Sequence, residues 1–484
     1  MTAIVNNKGN ANFNDRCLIR AFEALPIDYW DFKDENVREY THGIHNYPAM
    51  MVCPISRNIL TIIKKIMPVR TLLDPFAGSG TVLVEGMLAG IPEVYGNDIN
   101  PLALFISKVK TTPLDLEKLQ YEVQKLMLHI NENYHENQLQ IEQVDEIMRF
   151  KYELDLTAKQ GWGTQAPAYL REYVKTNFMQ LNIPEFKNIG YWFKPRVILL
   201  LSLIKTEMEK IADVSIRNFV FTAYSETIRF VSNRRNGEFK MFRMPAEKVE
   251  HFAPDVIKEF SAILNRNVEK MDSFVKKLSK NAIQSKVQIL HSDAADLSQV
   301  HDESIDVVIT SPPYGDSRTT VAYGEYSRLS LQWLELDKLS EKEIMGIDKS
   351  LMGGKKYNNG FVSRIKSETL RKSLARIQEI DLARAGDVYS FYFDLEKAIE
   401  TVAKKTRKDG YQFWVVGNRT VKGELLKTDE IIAEIASCYH MEYVYTVGRN
   451  IINKVMPSQN SPTNEAGQKS TTMTNEHIVI LRKK

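Results

Sequence analysis

The apolar residues of this chain fall into short runs in two separate stretches and into helical periodicity between them. Residues 70–73 form one such run. A glycine-rich turn, a helical pattern over 81–88, a second run over 93–96 and a helix after Pro101 follow it. Strand, glycine turn, helix and strand in that order predict a βαβ unit and a parallel sheet. Five further runs, at 287–290, 305–310, 411–416, 441–447 and 477–481, bring the predicted strands to seven. A polar loop of roughly residues 454–475, and no helix, joins the last two. That pair is expected to form an antiparallel hairpin at one edge of an otherwise parallel sheet.

Residues 113–285 read as a helical insertion. Leu116, Leu119, Val123, Leu126 and Ile130 recur at steps of three and four, one face of a helix, with Pro113 just before its start. Further helices are predicted over 197–208 and 253–278, and a second helical insertion over about 329–384. The chain thus divides into a first half of an α/β core (1–112), an insertion (113–285) and a second half of the core (286–484). No repeat and no Pro- or Ser-rich linker separates them, so one packed body is expected.

Composition narrows the class. With 43% apolar and 26% charged residues, 23 glycines and 17 prolines in 484, the chain is not collagen-like, low-complexity or predominantly disordered. Cys17, Cys53 and Cys438 lie far apart, which excludes a disulfide scaffold and a cysteine-built zinc site and fits a reducing compartment. His42, His45 and His477 share no metal-ligand spacing, and no metal is expected. No apolar run is long enough to span a bilayer, and the start MTAIVNNKGN has no secretory pattern. A cytoplasmic protein is the expectation. The net charge of +3 decides nothing about nucleic acid. Local basic clusters occur at 225–243 and 355–376, and each also fits a plain solvated face.

Two motifs carry chemistry. Asp74-Pro75-Phe76-Ala77-Gly78-Ser79-Gly80-Thr81 stands where the first strand ends and a helix opens, the ligand-binding edge of open α/β sheets. It is no P-loop, since no lysine follows Gly80, and a third dinucleotide-type glycine would fall at Leu83. Asp98 ends the second strand, 18 residues after Gly80, where a carboxylate would accept from ribose hydroxyls. The second motif, Ser311-Pro312-Pro313-Tyr314, follows the strand at 305–310. Two prolines hold the backbone extended. A hydroxyl, a main-chain carbonyl and an aromatic face then suit a planar ring bearing an amino group. A rigid Pro-Pro turn with a packing tyrosine is the plain alternative.

Together these motifs resemble the S-adenosylmethionine-dependent amino-methyltransferases that act on DNA bases, including those of restriction–modification systems. The segment His45–Met50 is similar to the one that precedes the first strand in that family. Tyr95–Pro101 resembles its second-strand acidic motif and His291–Asp296 its third. The resemblance implies a seven-stranded Rossmann-like sheet, S-adenosyl-L-methionine as cofactor, double-stranded DNA as substrate, base flipping and a prokaryotic cell. It also leaves room for a cognate restriction endonuclease acting separately. The implied cofactor residues are Tyr47, Asp74, Phe76, Gly78, Gly80, Thr81, Asp98, Asn100 and Asp293. Of these, Asp74, Gly78 and Gly80 would meet the methionine end, Asp98 the ribose and Asp293 the adenine. The implied catalytic residues are Ser311, Pro312, Pro313 and Tyr314, with Tyr314 stacking on the flipped base.

An exocyclic amine is a poor nucleophile because its lone pair is delocalised into the ring. Acceptors for both N–H groups localise that pair, and positioning does the rest. A carbon-5 cytosine reaction needs a cysteine after the Pro-Pro turn, and none stands there. Serine at the head of the motif is more typical of cytosine-N4 enzymes, so N4 of cytosine is the expected target and N6 of adenine the alternative. An RNA methyltransferase and a catalytically silent DNA-binding subunit are the rivals. The glycine motif precedes the Pro-Pro motif, which excludes the permuted order of the family. Target recognition is expected in the insertions. Arg234 and Arg235 lie in a basic turn between extended runs, and Arg371 and Lys372 lie in the second insertion. Arg318 and Tyr323 would flank the pocket. The polar loop at 457–464 is long for a hairpin and a further candidate.

Overall fold

A computed structural model describes residues 12–235, 239–316, 320–357, 364–451, 459–460, 470–471 and 475–484. Seven strands make the central sheet: β1 (Thr71–Asp74), β2 (Glu93–Asp98), β3 (Lys286–His291), β4 (Ile305–Thr310), β5 (Thr406–Gly417), β6 (Met441–Asn450) and β7 (Asn475–Lys483). Their order is β3-β2-β1-β4-β5-β7-β6. The first five are mutually parallel, and β7 runs antiparallel to both β5 and β6. The α/β fold expected from the pattern is therefore present. The expected terminal hairpin is there as well, with β7 on its inner side. Ile478, Val479, Ile480 and Leu481 are buried on both faces, as an internal strand requires, whereas β6 is half-exposed along most of its length.

Side-chain alternation feeds two cores. Leu72, Val307 and Ile309 point to a face covered by α1 (Phe13–Glu23) and α2 (Cys53–Ile66). Leu73 and Val308 point to the opposite face, toward Leu370, Tyr392 and Ile432. Between β1 and β2 lies α3 (Thr81–Leu88), and after β2 comes α4 (Pro101–Lys110), capped by Asn100. A third core joins these two helices to the insertion, through α5 (Leu116–Glu136), α6 (Pro195–Glu209), α7 (Val214–Val231) and α8 (Val256–Leu278). The insertion thus packs on the sheet's helical flank as continuous core. The second insertion starts earlier than its pattern indicated, with α9 (Tyr323–Leu334), and continues through α10 (Glu368–Ile380) and α11 (Leu382–Lys405); α12 (Thr428–Ser437) follows β5. One expectation fails here. The run before the basic turn is not extended but is the C-terminal half of α7, whose residues 222–229 are all buried.

The first helix is tied to the last strand by charge. Arg482 donates from Nε to both oxygens of Asp15 at 3.0 Å, and the Tyr411 hydroxyl donates to the same carboxylate at 2.7 Å. Glu442 and Asp409 also pair with Arg482. Asp15→Ala is expected to destabilise the protein by about 2–3 kcal/mol, somewhat less than loss of an isolated buried pair because these two acids remain. Urea unfolding of the variant checks this, and a midpoint equal to the parent's would contradict it.

Candidate active site

The C-terminal ends of β1, β2, β3 and β4 open on one cleft of about 1000 Å³, its mouth included. The β1–α3 turn forms its floor. Gly80 caps α3 in a left-handed conformation, φ +82°, and a Cβ there would stand 3.0 Å from the Ser107 hydroxyl, so no other residue fits comfortably. Ser107 in turn donates to the Gly78 carbonyl at 2.7 Å, bracing the turn against α4. The backbone N–H of Ala77 donates to the Asn97 carbonyl at 2.8 Å.

Asp98 organises the adjoining wall. One carboxylate oxygen accepts from Gly78 N–H at 2.8 Å and the other from Asn100 N–H at 2.8 Å. Burial pushes its pKa up, opposed by those backbone donors. Asp74 is buried too, held by the Thr310 hydroxyl at 2.7 Å and by Phe76 N–H at 3.1 Å, and burial raises it to about 7. Asn100 joins opposite walls: its amide donates to the Tyr47 hydroxyl at 3.0 Å and to Ser327 of α9 at 2.8 Å. Tyr47 lies against Tyr323, ring centroids 6.0 Å apart and 29° between planes. Asp293 stands exposed at the end of β3.

Tyr47, Asp74, Phe76, Gly78, Thr81, Asp98, Asn100 and Asp293 all line the cleft, and Gly80 stands just behind it. Ser311 and Pro313 line it as well. Pro312 and Tyr314 do not. The Tyr314 hydroxyl is turned to the sheet, donating to Glu476 of β7 at 3.1 Å and accepting from Ser311 at 3.3 Å. Arg449 completes this chain with a 2.7 Å bond to Glu476. Burial raises the Tyr314 phenol well above its usual range, so it stays protonated. Gly315 follows because a Cβ would overlap the Arg419 guanidinium, 1.6 Å away. Arg419 and Arg384 both pair with the buried Asp316.

The sequence did not single out Asn97, Glu476 or Arg449. Asn97 is buried and joins the loops after β1 and β3, donating to the carbonyls of Pro75 and Ser292 and accepting from Ser292 N–H. Its place beside Asp98 within the segment Tyr95–Pro101 was its only signal. The segment holding Tyr47 is clamped by α7: His45 meets the Ser225 hydroxyl at 2.9 Å, and Asn46 donates to Glu226 at 2.5 Å.

The candidate DNA contacts separate. Arg234 is buried, with its guanidinium donating to the carbonyls of Arg229 and Arg235, an internal position that corrects the expected surface turn. Arg235 is exposed beside the Phe242 ring. Tyr323 is part of the cleft wall rather than an outer flank. Arg371 and Lys372 sit on α10 and pair with Glu368 one turn before them, on a solvated helix face away from the cleft lining. Arg318 and most of the 454–475 loop lie outside the described residues. Among the described residues, His42, Cys53 and Glu85 bring ligand-type atoms within 4.8 Å of one another. Both Glu85 oxygens are already occupied by Arg57 and His42, so the group is a buried polar network. No helix among the described residues is long and apolar enough to cross a membrane.

The donor set fits S-adenosylmethionine. A carboxylate (Asp98) faces the cleft at the end of β2, aromatic rings (Tyr47, Phe76) offer apolar walls, and the glycine turn lets a ligand reach the backbone. A family model described as D12 class N6 adenine-specific DNA methyltransferase matches residues 56–342, more than half of the chain. The type II methyltransferase M.MvaI of Kocuria varians is 38% identical over 464 residues, covering 94% of this chain and 93% of that protein. The type II methyltransferase M.MjaII of Methanocaldococcus jannaschii is 22% identical over 362 residues, 65% of this chain and 66% of its own. The solved rRNA methyltransferase aviRa of Streptomyces viridochromogenes aligns over 91% of this chain and 88% of its own, at 12% identity and a TM-score of 0.26, too low to bear on function. Sheet order, cleft and sequence relationship agree: the chain belongs to the D12 class of S-adenosylmethionine-dependent DNA methyltransferases, of the restriction–modification type.

Proposed function

We propose that the chain methylates the exocyclic amine of a base flipped out of double-stranded DNA, with Ser311, Pro312 and Pro313 holding that amine. The observation that carries this reading is the 2.7 Å hydrogen bond from Thr310 to Asp74, which fixes the Pro-Pro motif against the glycine turn. The bound donor supplies an electrophilic methyl on a sulfonium. The chain's own part is geometric. The Ser311 hydroxyl at the cleft wall accepts one amine hydrogen, and the main-chain carbonyl of Pro312, set between the lining residues Ser311 and Pro313, accepts the other once the base has entered, which localises the nitrogen lone pair. Pro313 keeps the backbone rigid, and the walls formed by Tyr47 and Tyr323 exclude water. Tyr314 acts from behind, holding Ser311 through its own bond to Glu476. No general base is needed, because the attacked nitrogen becomes acidic on methylation. Asp98 takes the ribose hydroxyls, Asp74 the ammonium of the methionine end and Asp293 the adenine.

Adenine N6 is the target supported by the description of the matching family. One observation favours cytosine N4 instead, the serine at position 311 where an acid or amide would suit adenine. A separate cognate endonuclease fits a relative of the restriction–modification type.

Asp98→Ala is expected to weaken S-adenosylmethionine binding at least about tenfold with the fold retained, because the acceptor is removed. Titration calorimetry beside a circular-dichroism spectrum reads it, and unchanged affinity removes Asp98 from the site. Ser311→Ala should slow turnover roughly 5- to 150-fold while DNA affinity stays close to the parent's. Digestion of methylated DNA to nucleosides, followed by mass spectrometry, decides the base. N4-methylcytosine overturns the adenine reading and leaves the family standing. Neither methylated nucleoside, with cofactor and DNA both bound, overturns the enzymatic reading.

A further inference from the structure

Lys110, the last residue of α4, is completely buried. Its ammonium has three donors to satisfy. Two acceptors are in reach, the Ser79 hydroxyl at 3.1 Å and the Met50 sulfur at 3.9 Å. No carboxylate of the described residues comes within ion-pair distance of it. Of the acidic groups that act on it, Cys53 and then Glu226, the carboxylate of Glu226 is committed to Asn46 and Arg266 at 2.5 Å each. A buried cation without a counter-ion is costly, and a fold keeps one where something else balances it. Both of its partners, Ser79 and Met50, line the cleft. That lining carries four carboxylates, Asp74, Asp98, Asp293 and Asp394, and no basic side chain.

We propose that Lys110 is a positioning residue whose ammonium, set behind Ser79 and Met50, is the counter-charge for the carboxylate at the methionine end of the donor. The proposal rests on the reading of the cleft as an S-adenosylmethionine site. An amino-acid end is zwitterionic: its ammonium has Asp74 to meet, and its carboxylate has no cation among the lining residues. Lys110 supplies that cation from one layer below. Its place at the C-terminus of α4 favours a positive charge there, and the Thr41 hydroxyl fixes its carbonyl at 3.0 Å. Burial lowers the amine to about 7, so an arriving carboxylate beside it would stabilise the protonated form.

The test compares S-adenosylmethionine with its decarboxylated counterpart, S-adenosylmethioninamine, by titration calorimetry on the parent and Lys110→Met. Affinity for the carboxylated ligand should fall roughly 10- to 100-fold in the variant, the worth of an opposite charge one layer away in a partly buried site. Affinity for the decarboxylated ligand should be unchanged or improved. Without ligand, the variant should melt no lower than the parent, since Met fills a similar volume without burying an amine whose three donors find only one oxygen acceptor. Should Lys110→Met fail to fold, Lys110→Gln is measured in the same way. Equal losses for both ligands, or no loss for either, overturn the assignment of Lys110. A parent that binds both ligands equally overturns it as well. A parent that binds neither overturns the cofactor reading and this inference with it.

Discussion

Everything functional in this protein hangs on β1 and β4 lying side by side. Thr310 and Asp74 are 236 positions apart, yet one hydrogen bond joins them at the carboxyl ends of these strands. To one side the sheet continues through β2 and β3, to the other through β5. The crossover therefore reverses direction between β1 and β4, and reversal leaves a crevice that no connecting helix covers. Both chemical motifs stand on the rims of that crevice. Shift the register of β1 against β4 by two residues and the Pro-Pro motif would part from the glycine turn.

The insertion's first duty is structural. Its helices extend the core that contains α3 and α4, and α7 grips His45 and Asn46, so that Tyr47 is presented to the cleft. Arg229 of α7 lies over the Tyr326 ring at 3.5 Å and donates to the Tyr326 carbonyl, tying α7 to α9. Both insertions therefore meet at one wall of the site. They form one frame with the loops that line the cleft.

Much of this was legible because the strands are short apolar runs with clear punctuation. All seven fall where the runs predicted, and the helix after Gly80 begins and ends where its pattern does. The extended reading before the basic turn failed for a physical reason. The second half of α7 is buried all round, so it shows no polar face and no helical period. Arg234 misled in the opposite sense: an arginine in a basic turn looks solvated, but its fork satisfies backbone carbonyls that the turn leaves unpaired. Glu476, Arg449 and Asn97 were invisible because their significance is wholly a matter of which distant loops they touch. The placement of Tyr314 belongs to the same class. Sequence shows an aromatic ring beside two prolines, and only the fold shows its hydroxyl facing β7.

The position of β7 also bears on how the molecule assembles. Residues 475–483 lie between β5 and β6, in the interior of the sheet, although they come last of the seven strands. Until they arrive, β5 presents an unpaired edge whose run Phe413–Val416 is strongly apolar, the kind of edge that recruits strands from other chains. Helices α5 to α8 precede β5 in the chain, whereas β5 must wait for a partner about sixty residues further on. A ribosome-bound intermediate would thus carry β5 without its inner neighbour, an apolar edge exposed to pairing with other chains until residues 475–483 are made.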